Sequence, residues 1–170
     1  HWLHAAVRPQ PQLAADAALS QTATSLFGVN TFLEQEVLPE VRADSLRYAH
    51  EAGFRYIRQE FAWEDIEIHG KGDFNDRRND VDGDGIIDEI DAWSKYDQIV
   101  SLANDQGITV IARLSNPPAW TRALTDTIGT QAPPDDFSDY GDFVATTVAR
   151  YRGQVTYFQL WNEPNIFPEW

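Results

Sequence analysis

The sequence contains no cysteine. A disulfide framework is excluded, and cysteine usage carries no information on redox compartment. Basic residues are scarce: 13 Lys and Arg stand against 27 Asp and Glu, a formal net charge of −14. Such a chain has no basic stripe to meet phosphates, which argues against nucleic acid and anionic membrane surfaces as partners. No apolar run approaches the ~20 residues of a membrane-spanning helix. No apolar stretch of about 7–15 residues lies near His1, so no intact signal peptide is expected within these residues. There is no G-x-S-x-G elbow to support serine hydrolase chemistry. The four histidines (His1, His4, His50, His69) contain no pair at metal-ligand spacing. What is present is 170 residues of 42% hydrophobic content, enough for one core of ordinary size.

Aspartate is abundant in one place. Residues 79–93 read NDVDGDGIIDEIDAW. Counted from Asp80, the aspartates Asp80, Asp82, Asp84, Asp88 and Asp91 take positions 1, 3, 5, 9 and 12, and Gly85 takes position 6. This is the ligand spacing of an EF-hand-type calcium loop, in which alternate residues of a tight coil converge hard oxygen donors on one cation. The expected ligand set is Asp80, Asp82, Asp84, Ile86 through its backbone, Asp88 and Asp91. Ile87, at position 8, is expected to tether the loop to the body of the protein. Asp91 departs from the pattern, since a longer glutamate usually closes such a loop. The stretch resembles the calcium loops of dockerin modules and thrombospondin-type repeats, which implies a structural Ca²⁺ and no catalytic cofactor. A solvated acidic turn is the alternative.

Around this loop the chain alternates. SLFGVNTFL from Ser25 reads as a strand, and Leu38 to Gly53 as a helix with Val41, Leu46, Ala49 and Ala52 on its apolar face. FRYIRQEF is a second strand. After a polar excursion from Glu64 to Asp91, Ala92 to Gly107 is a second helix with Trp93, Tyr96, Ile99, Val100 and Ala103 on one face. ITVIARLS is a third strand. A loop from Asn116 to Pro134 leads to a third helix, Asp136 to Gly153, with Phe143, Val144, Val148 and Tyr151 inward, and VTYFQLW is the fourth strand. Strands alternating with helices of about 15 residues predict parallel βα units. Two architectures use that order, the doubly wound sheet and the (β/α)8 TIM barrel. No G-x-G-x-x-G or P-loop follows the first strand, whereas polar and aromatic residues gather at every strand's C-terminal end, where barrels place their sites. The expectation is a parallel (β/α)8 TIM barrel of which this chain holds about the first four βα units. Residues 1–23 read as a flexible spacer, and 24–170 as the N-terminal half of the barrel domain, with the calcium-loop-like insertion at 79–91. Both chain ends read as those of a fragment.

Four segments in that order carry a resemblance: RQEFAWEDIE after strand two, AWSKYD opening helix two, ARLSNPPAW after strand three, and WNEP (Trp161 to Pro164) at the end of strand four. Together they resemble the N-terminal half of a retaining clan A glycoside hydrolase, β-xylosidase-like (family 39) or cellulase-like (family 5). The resemblance covers about 140 residues, more than half of the ~250 that such a barrel takes. It implies hydrolysis of O-glycosidic bonds in a polysaccharide or oligosaccharide, with Glu163 as general acid/base and Asn162 on the 2-hydroxyl of the sugar. That chemistry needs an acid to protonate the leaving oxygen and a carboxylate across the anomeric carbon. The family's nucleophile, a Glu ending strand seven, lies beyond Trp170. Arg58 matches an arginine that supports the catalytic carboxylates, an ordinary buried ion pair being its alternative. Glu60 is expected to contact Arg58 or substrate. Asn116 joins the substrate-binding rim, and Trp63, Trp120, Trp161 and Trp170 are sugar-stacking candidates or rim packing, while Trp93 belongs to the core. Strict strand alternation would send Asn162 and Glu163 to opposite faces, so both face the site only if the strand ends or bulges there. An extracellular or cell-surface, bacterial setting fits a weak calcium loop. The sequence leaves two alternatives, a non-catalytic carbohydrate-binding barrel and a calcium-dependent structural module, and does not fix the oligomeric state.

Overall fold

The computed structural model describes residues 27–123 and 132–166. The expected spacer, Trp170 and part of the loop after strand three lie outside these residues. The long elements are β1 (Gly28–Thr31), α1 (Pro39–Glu51), β2 (Tyr56–Ala62), α2 (Ser94–Asp105), β5 (Thr109–Ser115), α3 (Phe137–Arg150) and β6 (Tyr157–Leu160). Between β2 and α2 a two-residue ladder, β3 (Asn75–Asp76) and β4 (Ile90–Asp91), closes the acidic insertion antiparallel. The helices stop where the glycines stand. Gly53, Gly107 and Gly153 have φ of 92°, 66° and 81°, a left-handed turn that a side chain would resist.

The four long strands form one parallel sheet in the order β1-β2-β5-β6, which is their order in the chain. A doubly wound sheet reverses direction at a switch point. Here each strand adds to the same edge, as consecutive strands of a (β/α)8 barrel do. The chain thus holds the first βα units of a TIM barrel. On the helix side of the sheet, Ile57, Phe61, Val110, Ala112 and Leu114 meet Leu46, Tyr96, Ile99, Val100, Phe143 and Tyr151 in one buried cluster. Aromatic pairs tighten it: Phe61 stacks on Tyr96 and meets Tyr151 edge-on.

The predicted face of the second helix is buried residue for residue, Trp93 included. Two other faces differ. In α1, Arg42 and Leu46 are the buried residues while Ala52 is exposed past the helix end. Arg42 reaches inward because its guanidinium donates to the carbonyls of Leu33 and Glu36 and to Gln98, so the burial of its charge is offset by charge-assisted bonds. In α3, Thr147 takes an inner position and bonds the Phe143 carbonyl, while Val148 is exposed.

Candidate active site at the C-terminal rim

The strands' other face carries a polar layer. Registry places Asn30 opposite Arg58 and Glu60 opposite Arg113, with Gln159 beside Arg113 on the next strand. The Arg58 guanidinium is the hub. Its Nε donates to Gln159 Oε1 at 2.7 Å, its Nη2 to Asn162 Oδ1 at 2.6 Å and its Nη1 to Asn30 Oδ1 at 3.5 Å. Arg58 thereby ties β1, β2 and the end of β6 together. Of the two contacts expected for Glu60, the ion pair is made with Arg113 rather than Arg58, and Glu60 also accepts from Ser115 Oγ at 2.6 Å. The pair sits on neighbouring strands at the same register, so the two side chains meet without crossing the layer.

The turn after β6 breaks the strand alternation before Asn162 and Glu163. The strand ends at Leu160, and both Trp161 (φ 63°) and Glu163 (φ 43°) are left-handed. Among the described residues one other non-glycine has positive φ, Asn116 (56°), at the corresponding position after β5. Such backbone costs of order 1–3 kcal/mol per residue and gathers at functional sites. The first left-handed residue turns Trp161 outward, where it is 4% exposed and edge-on to Tyr140. Asn162 then points to Arg58, and Glu163 follows it at the exposed rim. The turn is pinned from outside: Trp161 N–H donates to the Leu114 carbonyl and to Tyr140 Oη, whose hydroxyl itself donates to Leu114 O at 2.7 Å. Burial pushes the Tyr140 phenol up to about 12, which keeps it a donor at any working pH.

The tryptophans separate. Trp63 is 0% exposed, stacked on Phe143 and met edge-on by Trp120. Its indole N–H donates to Glu67. Trp63 and Trp161 are therefore packing residues of the rim, because neither offers a ring face to a sugar. Trp120 is half-buried and donates to the Glu67 carbonyl at 2.7 Å, so it keeps some exposed ring beyond the rim packing. Asn116 holds the rim through its backbone, its carbonyl accepting from Glu64 N–H at 2.8 Å. Sequence reading passed over Glu64. It is half-buried, and burial, then Asp65, raises its carboxyl while Arg122 opposes that shift. It also passed over Gln159, whose amide bridges Arg58 to the Trp161 carbonyl. Gln159 was detectable as a polar residue on a strand that alternation places on the site face.

In the insertion, Asp80, Asp82 and Asp88 bring carboxylate oxygens within 4.8 Å of one another. Asp80 accepts from Gly85 and Gly83 N–H, and these backbone donors, that of Gly85 first, hold its carboxyl below the usual range. Asp84 caps Ile86 N–H, and Asp91 lies in β4, accepting from Trp93 N–H with Arg150 at 3.6 Å. Neither joins the three-carboxylate cluster. Ile87 is 54% exposed, so among the described residues it is not the tether expected of position 8. The loop is closed on itself by the β3–β4 ladder and by Asp88 N–H on the Asn79 carbonyl, and the Asp91–Arg150 contact joins its end to α3.

Solved structures with the same fold include a family 39 glycoside hydrolase from Bacteroides cellulosilyticus WH2 (22% identity, TM-score 0.55, 81% of this chain and 24% of that one). A monomeric beta-xylosidase from Caulobacter crescentus CB15 (22%, 0.54, 84% and 29%) and a beta-galactosidase from Marinomonas ef1 (18%, 0.58, 84% and 22%) are also similar. The chain spans about a quarter of the length of these structures. No curated protein matches. The family model described as Cellulase (glycosyl hydrolase family 5) matches residues 17–170, and the chain belongs to that family.

Proposed function

We propose that this chain carries the acid/base half of a retaining glycoside hydrolase acting on a polysaccharide or oligosaccharide. The observation that carries the reading is the strained turn after β6, which sets Asn162 against Arg58 and places Glu163 next at the rim. In the reaction, the Glu163 carboxyl donates its proton to the leaving glycosidic oxygen as the C–O bond breaks. A carboxylate from the remainder of the barrel attacks the anomeric carbon and forms the glycosyl-enzyme. Glu163, now ionised, takes a proton from the water that releases the sugar. With Oδ1 of Asn162 engaged by Arg58, its Nδ2 is left to donate to the sugar's 2-hydroxyl oxygen. Glu163→Gln in the full-length enzyme is expected to abolish turnover of natural glycosides, a loss of about 10²–10⁴-fold. Unchanged rates would overturn the assignment.

The acidic loop has a separate, structural role in this reading. Asp80, Asp82 and Asp88 would hold Ca²⁺ with hard oxygen donors and order the long segment between β2 and α2. An extracellular or cell-surface location would supply calcium at the concentrations such loops use. Calcium at a hundredfold above its dissociation constant would stabilise the folded protein by about 2.7 kcal/mol. A melting temperature identical in calcium and in chelator would remove the metal from the account.

A further inference from the structure

We propose that Gln159 is a positioning residue for this reaction: its amide aims Arg58 at Asn162 and holds the peptide from which the acid/base turn begins. The inference rests on the assignment of Asn162 and Glu163 above. A guanidinium is a planar fork, so fixing one nitrogen fixes where the others point. Gln159 Oε1 fixes Nε at 2.7 Å, and Nη2 then meets Asn162 Oδ1 at 2.6 Å. The same amide donates through Nε2 to the Trp161 carbonyl at 2.8 Å. That carbonyl belongs to the first of the two left-handed residues, φ 63° at Trp161 and 43° at Glu163. One strand residue thus grips the turn by its backbone and, through Arg58, by the Asn162 side chain. The two grips are unequal. The bond from the guanidinium is charge-assisted and stronger than the neutral amide–carbonyl bond, so an acceptor at position 159 matters more than the donor.

The test uses full-length enzyme and the fastest of 4-nitrophenyl β-xyloside, β-glucoside, β-galactoside and β-cellobioside, each with its 2-deoxy counterpart. Gln159→Leu should lose about 10- to 100-fold in kcat on the 2-hydroxy substrate, with KM within about twofold. On the 2-deoxy substrate it should lose less than about threefold, because Asn162 has nothing there to hold. Gln159→Glu keeps the acceptor for Arg58 and should return most of the rate. Equal losses on both substrates, or no loss, would overturn the role of Gln159. If Gln159→Leu fails to fold, a Gln159→Glu variant that loses as much kcat on the 2-hydroxy substrate as Asn162→Ala overturns it equally, because the acceptor for Arg58 is kept. Asn162→Ala separates the two failures. If Asn162→Ala discriminates the 2-hydroxyl and Gln159→Leu does not, only the inference falls. If Asn162→Ala does not discriminate, the functional reading itself falls.

Discussion

The acidic insertion after β2 and the turn after β6 both leave regular structure through left-handed residues, but with different side chains. In the insertion those positions are Gly83 and Gly85, which enter that region of backbone without a Cβ in the way. At the rim they are Asn116, Trp161 and Glu163. A loop that only needs to bend uses the residue that bends at least cost. A site that needs a side chain at the bend accepts strain, and the surroundings must hold it. The packing agrees: the rim turn is buttressed by Tyr140, Trp161 and Arg58, while most of the residues from Val81 to Ile90 are exposed and the insertion is closed by its own short ladder.

That contrast can be broken in four ways. Trp63→Ala should give the largest effect, a loss of about 3–5 kcal/mol in denaturant unfolding, because its ring lies fully buried under the rim. A raised KM with unchanged stability would instead make it a sugar platform. Tyr140→Phe removes the hydroxyl shared by Leu114 O and Trp161 N–H, and should cost about 1–3 kcal/mol together with a fall in kcat. Gly85→Ala and Asn116→Gly form a matched pair. The first puts a Cβ at φ 88° and should lower stability by about 1–2 kcal/mol. The second relieves a left-handed residue, leaves the melting temperature level or higher, and raises KM if the Asn116 side chain meets substrate. The smallest effect is expected from Glu64→Gln. The folded carboxyl is raised above 4.5, so its ionised form is disfavoured in the fold. That cost is absent below pH 4.5 and complete once pH has risen past the folded value. Glu64→Gln should therefore gain a few tenths of a kcal/mol at pH 7 and nothing at pH 4, scaled down because the group is only half-buried.

The strand order, the helix ends and the buried face of α2 were legible because each rests on local signals: period, β-branched runs and terminal glycines. Asn162 and Glu163 were legible as a motif, but not the conformation of the turn that holds them. That depends on left-handed φ at Trp161, which no residue-type preference predicts for tryptophan. The choice between sugar stacking and rim packing for the tryptophans stayed open for a related reason. A Trp at a strand end can face the cleft or the helices, and the choice for Trp63 is made by Phe143 and Trp120, distant in sequence. The pairing of Glu60 with Arg113 follows from inter-strand register, which a single strand does not reveal. The calcium spacing was legible, and of its five aspartates Asp80, Asp82 and Asp88 bring their carboxylates together while Asp91 is held in the β3–β4 ladder.

The most direct measurement compares Glu163→Gln with wild-type full-length enzyme on two glycosides of the same sugar. One carries an alkyl or sugar leaving group, the other 2,4-dinitrophenolate, which departs without a proton. If Glu163 is the acid, the loss on the first substrate is about 10²–10⁴-fold, and formation of the glycosyl-enzyme from the second is nearly unimpaired. Equal losses on the two substrates would contradict the account, because a group that merely supports the rim has no reason to distinguish one leaving oxygen from another.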